Sequence, residues 1–148
     1  MSIAIVYHSA GGNTKAIAEA IASFLPESQL FRVSEVDIPT LTAFEGLIVG
    51  TYTWGNGELP EKMVTFYQEL EALDLTHTVT AAFGSGETNY KHFCGAVDIF
   101  RDMLFAKSRL AVTLKIEQMY QDTDYVKIKR FTSLFRAKLS NSQEHTLS

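Results

Sequence analysis

Five short, β-branched apolar runs alternate along this chain with longer stretches of helical period, and that alternation leaves few folds open. Ser2–Tyr7 (SIAIVY), Gln29–Val36, Gly46–Thr51 (GLIVGT), Val79–Phe83 and Arg109–Ile116 read as strands. Gly46–Thr51 carries no charge and no strongly polar interruption, as a strand covered on both faces requires. Helices are expected from Asn13 to Pro26, over Pro60–Ala72, over Phe93–Phe105 and over Thr123–Leu139. In the first, Ile17, Ile21 and Phe24 share one face; in the second, Met63, Phe66, Tyr67 and Leu70 do. Asn13 or Thr14 is the expected cap of the first helix. The pattern predicts an α/β fold, a parallel sheet with helices on both faces and right-handed crossovers. No repeat or linker divides the chain, so one domain is expected over residues 1–140, with a polar tail over 141–148.

Composition enters by exclusion. Seventeen acidic against thirteen basic residues give a net charge of -4, which argues against a nucleic-acid partner. The single cysteine, Cys94, cannot form an internal disulfide, and the four histidines (His8, His77, His92, His145) lack metal-ligand spacing. MSIAIVYHSAGG has no basic region before its apolar run, and no stretch approaches the roughly 18 apolar residues of a membrane span. A cytoplasmic location without membrane contact is therefore expected.

In parallel sheets ligands bind beyond the carboxyl ends of the strands. The loops expected there are Ser9–Asn13, Tyr52–Leu59 and Gly84–Lys91. The first joins a strand to a helix N-terminus through Gly11 and Gly12, where unsatisfied amides and the helix dipole suit a phosphate. On this loop alone, a tight turn with a polar cap reads equally well, since neither GxxxxGK[ST] nor GxGxxG is present. The second loop carries Tyr52 and Trp54, the chain's single Trp, with Gly55 and Gly57 flanking Asn56 in a turn whose peptides reorient at little steric cost. The third loop adds Tyr90 after Gly84-Ser85-Gly86-Glu87. Two rings beside an anion site point to a planar ligand bearing a phosphate.

At these residues the chain resembles the flavodoxins, of the short-chain kind. SAGGNT is similar to the family's phosphate loop, TYTWGNGELP to its tryptophan-bearing flavin loop, and GSGETNYKHFCGAVD to its third loop and following helix. The resemblance implies a flavodoxin-like three-layer sandwich with a five-stranded sheet of order 2-1-3-4-5. It also implies one non-covalently bound FMN and one-electron transfer between a reductase and a redox acceptor. Ser9, Ala10, Gly11, Gly12, Asn13 and Thr14 would wrap the phosphate, and Trp54 and Tyr90 would cover opposite faces of the ring. Backbone groups of Thr53, Gly55, Glu87 and Cys94 would lie at its polar edges. Asn56, Gly57, Gly84, Ser85, Gly86 and Phe93 complete the expected cofactor-binding set, with no catalytic or metal-binding residue. Cys94 would form wall, not a redox thiol, in keeping with a small buried hydrophobe.

The chain departs from the family at Gly11 and Ala10, where hydroxyl residues are usual. Each lost neutral hydrogen bond would weaken phosphate binding by about 0.5–1.5 kcal/mol. Asn56 and Glu87 stand where acids are common or more numerous. Glu58, Glu61, Glu69, Glu71, Glu87, Asp98 and Asp102 gather in the segments around the flavin loops, while Lys127, Lys129, Arg130, Arg136 and Lys138 make the last helix basic. A monomer whose acidic end steers basic redox partners is the expectation. The competing readings are an FMN-dependent oxidoreductase of quinone reductase type, an activator serving one metalloenzyme, and a module that has lost flavin. A receiver domain is rejected, because Gly50-Thr51 stands where it needs Asp.

Overall fold

A computed structural model describes residues 2–53, 57–86, 94–117 and 121–147. Strands β1 (Ile3–Tyr7), β2 (Ser28–Arg32), β3 (Gly46–Tyr52), β4 (Val79–Gly86) and β5 (Arg109–Glu117) form one sheet in the order β2-β1-β3-β4-β5. Every pairing is parallel, with Ile5 opposite both Leu30 and Ile48. This is the strand order the resemblance implies. β5 is continuous apart from one irregularity, where Thr80 pairs with Leu110 but Ala81 with Val112.

Side chains alternate across a strand, so each apolar run feeds two cores. Ile3, Ile5 and Tyr7 join Ile48 and Phe83 on one face, under Ile17 and Ile21 of α1 (Asn13–Phe24) and Phe131 and Phe135 of α4 (Tyr125–Leu147). Ala4, Val6, Leu47 and Val49 serve the other face, under Met63, Phe66 and Leu70 of α2 (Glu61–Glu71) and Phe100 and Leu104 of α3 (Gly95–Lys107). Burial of one such Leu or Phe contributes about 1.5–3 kcal/mol. The central strands β1, β3 and β4 are covered twice, which is why they carry no charged residue.

Several boundaries differ from expectation. β2 stops at Arg32, not Val36, because the Glu35 and Val36 amides both donate to the Arg32 carbonyl and turn the chain. An unforeseen 3-10 helix, Ile38–Ala43, follows, with Pro39 in its first turn and Leu41 buried. α4 runs to Leu147, beyond the expected end at Leu139, and a short 3-10 turn, Asp122–Asp124, leads into it through a capping box of Gln121 and Asp124. Arg136 grips Glu27 with both arms, at 2.9 and 3.0 Å, and donates to the Phe24 carbonyl at 3.2 Å. That fork holds α4 against the turn between α1 and β2. Because all five strands run the same way, the exits of β1, β3 and β4 open along one edge.

Candidate functional site

The exit of β1 is fixed where the His8 amide donates to the Gly50 carbonyl at 3.1 Å. Gly12 then takes a φ of 90°, a left-handed conformation that a side chain would oppose, and acts as the N-cap of α1. The expected cap by Asn13 or Thr14 is thus corrected. The reversal into the helix needs a positive φ, and no side chain caps α1; instead the Gly12 amide donates to Ser9 Oγ at 3.0 Å. The first intrahelical bond runs from the Ala16 amide to the Gly12 carbonyl, so the amides of Asn13, Thr14 and Lys15 have no intrahelical acceptor. A Cβ added at Gly11 or Gly12 would meet nothing within 4 Å, and no acid occupies the first turn. Donors, dipole and space fit a phosphate group.

The second and third loops join this turn at its flank. Thr14, buried, places Oγ1 3.4 Å from Ser85 Oγ. The Thr53 amide donates to the Ser85 carbonyl at 3.3 Å, and Thr53 Oγ1 accepts the Ala96 amide at 3.2 Å. Gly84, Ser85 and Gly86, expected as loop, belong to β4. Gly84 pairs on both sides, with Thr51 and Lys115, as does Ser85, with Tyr52 and Ile116, while Gly86 pairs with Glu117, so the ladder outlasts the apolar run. Gly57 and Gly95 approach so closely that a Cβ on Gly95 would lie 2.8 Å from the Gly57 backbone. The described parts of all three loops are therefore brought together. Trp54, Gly55, Asn56, Glu87, Tyr90 and Phe93 lie outside the described residues.

Cys94 caps α3 at a φ of 51° and is buried, its thiol 3.8 Å from the Gly84 carbonyl and 3.9 Å from that of Ile116. Burial pushes the thiol up to about 12, outweighing the cation of nearby Lys115. We expect Cys94 to resist a disulfide-exchange reagent at pH 8 in the folded protein and to react once urea unfolds it. Rapid labelling under native conditions would contradict this environment.

Sequence reasoning missed His8 and three cations. The His8 ring lies 5.4 Å from that of Tyr52, and a cavity of about 520 Å³ opens between His8, Ser9, Ala10, Tyr52 and Pro60. A second cavity of about 300 Å³ joins His8, Ser9 and Gly12 to Lys15, Arg32 and Lys62. Only Lys15 lay next to a recognised motif; Arg32 and Lys62 carried no signal. Burial, then the charge of Lys62, lowers the His8 pKa below its ordinary 6.5. A proton NMR titration should show this, and Lys62→Gln should move the midpoint back up. Because the unfolded chain takes that proton more readily, folding loses stability as pH falls through 6.5.

Comparisons with known proteins agree on one family. A family model described as Flavodoxin matches residues 5–134. The chain is 40% identical over 120 residues to "Probable flavodoxin 1" of Bacillus subtilis, covering 76% of this chain and 75% of that one. Among solved structures, a Streptococcus pneumoniae TIGR4 flavodoxin superposes with a TM-score of 0.88 at 30% identity, over 93% of this chain and 99% of that chain. Flavodoxin 2 from Bacillus cereus gives a TM-score of 0.85 at 37% identity, again over 93% and 99%.

Proposed function

The chain belongs to the flavodoxin family, and we propose that it is a one-electron carrier holding FMN non-covalently where β1, β3 and β4 end. The observation that supports this most is the Gly12 turn, with three first-turn amides lacking intrahelical acceptors over open space. Ser9 to Thr14 would take the phosphate, while Thr53, Gly57, Gly84 to Gly86 and Cys94 would border the ring. The resemblance assigns the ring faces to Trp54 and Tyr90, and Gly55, Asn56, Glu87 and Phe93 to the same crevice. When bound, FMN supplies the redox chemistry; the chain orients it and sets its electrostatic surroundings.

The carrier works as a cytoplasmic monomer and transforms no substrate of its own. Among the described residues, no helix is long and apolar enough to cross a membrane, and no group of His, Cys, Asp and Glu could hold a metal ion. Basic-surfaced reductases and acceptors would meet its acidic rim. That rim is smaller than the sequence count, since Asp98 pairs with Lys115 at 2.8 Å and with Arg101 at 3.0 Å, and Asp102 with Arg101 at 3.0 Å.

The test is an absorbance spectrum of the protein loaded with FMN and reduced stepwise. Two resolved one-electron steps support the carrier. No bound flavin, or a single two-electron step with turnover of a quinone, rejects it.

A further inference from the structure

We propose that Lys15, Arg32 and Lys62 form a cationic collar that offsets the charge of the cofactor's phosphate and makes this chain discriminate FMN from riboflavin electrostatically. The inference rests on the FMN-binding reading above. The three residues come from α1, the end of β2 and the start of α2, yet they line one cavity of about 300 Å³ whose remaining wall includes Ser9 and Gly12 of the phosphate turn. No carboxylate is among the described residues lining it. Their carboxylate neighbours lie outside that wall. Glu19 is 3.9 Å from Lys15, Glu35 acts on Arg32, and Glu61 borders the adjacent cavity with Lys62.

The turn itself is short of side-chain donors. Ser9 Oγ accepts the Gly12 amide and keeps its hydroxyl proton, Asn13 adds a side-chain amide, Thr14 Oγ1 is buried against Ser85, and Ala10, Gly11 and Gly12 offer none. These donors are neutral, and beside them stand backbone amides and a helix dipole of roughly half a charge. A phosphate monoester brings about -1.5 to -2 charges at neutral pH. Full cations around the same cavity supply the balance. Arg32 stands opposite Tyr7 in the β1–β2 pairing and lines the cavity with it, and the field of Lys62 is felt at His8 on the cavity wall. The side chains are exposed, so each acts through partly screened charge and not through a dry ion pair.

Dissociation constants for FMN and riboflavin, measured on the full chain by quenching of flavin fluorescence, test the collar. Riboflavin lacks only the phosphate, so the ratio of the two constants isolates that group. Lys15→Gln/Arg32→Gln/Lys62→Gln should weaken FMN about tenfold at low salt and leave riboflavin unchanged. The difference should collapse near 1 M salt, where the screening length is about 3 Å. Lys127→Gln/Lys129→Gln/Lys138→Gln makes the same change in net charge on α4, away from the cavity lining, and should leave the ratio alone. Lys62→Gln alone leaves Lys15 and Arg32 at the cavity and should give a threefold or smaller effect. An unchanged ratio overturns the collar, as does an equal loss for both flavins or an equal effect of the α4 control. Failure of the unaltered chain to bind FMN sinks the carrier reading itself; FMN binding with an unmoved ratio sinks the collar alone.

Discussion

Gly95→Val is expected to weaken flavin binding by about tenfold or more and to destabilise the fold by about 1–3 kcal/mol. A Cβ on Gly95 would sit 2.8 Å from both the Cα and the carbonyl oxygen of Gly57. That neighbour is backbone, so it cannot rotate away as a side-chain tip could. Gly57 is itself at a φ of 104°, on the segment that joins β3 to α2. The two methyls of valine would drive this segment from the start of α3 and stretch the hydrogen bond from the Ala96 amide to Thr53 Oγ1. The phosphate turn lies on another strand and is untouched. FMN and riboflavin should therefore weaken by the same factor, opposite to the collar substitutions, which move FMN alone. Flavin titrations on both proteins would show it; an unchanged affinity would mean the approach of Gly57 to Gly95 does not shape the site.

Phe100→Ala carries the largest expected loss of stability, about 3–5 kcal/mol. Phe100 is fully buried in the core between α2, α3 and the sheet, with its ring 6.1 Å from Phe66 and 5.5 Å from Tyr67. Removing it deletes the transfer free energy of the ring and opens a cavity that three layers cannot close together. For a chain of 148 residues the melting temperature should fall by about 10 °C. Saturating FMN should recover part of that fall, because a ligand bound only by the folded state stabilises it by mass action. Urea unfolding followed by circular dichroism measures the loss, and a change under about 1 kcal/mol would show that the core repacks around the gap.

How far the sequence reaches depends on the kind of information a residue carries. The apolar runs of β1 and β3 are legible because a strand buried on both faces has no place for a charge. The helical faces of α1 and α2 are legible because a buried stripe must recur with the turn of the helix. The glycines of the β4 exit misled: Gly84 and Gly86 look like loop, yet β3 and β5 pair with Gly84 on either side and β5 pairs with Gly86. There glycine serves close approach, since a Cβ on Gly84 would fall 2.3 Å from the Thr51 carbonyl oxygen. Gly12 misled for the related reason that Asn13 and Thr14 are good caps by type. Only the direction of the turn shows that a positive φ was needed.

By itself the sequence determined the parallel α/β architecture, its strand-to-helix alternation and the edge of the sheet where the loops gather, because burial and periodicity act over a few neighbouring residues. The flavodoxin resemblance added the strand order and the roles expected of those loops. The tertiary structure alone decided that Gly12 caps α1, that Gly57 abuts Gly95, and that Lys15, Arg32 and Lys62 share one cavity. These depend on where parallel crossovers return distant segments to a common edge. Charges separated by tens of residues have no local pattern until the sheet sets their distance.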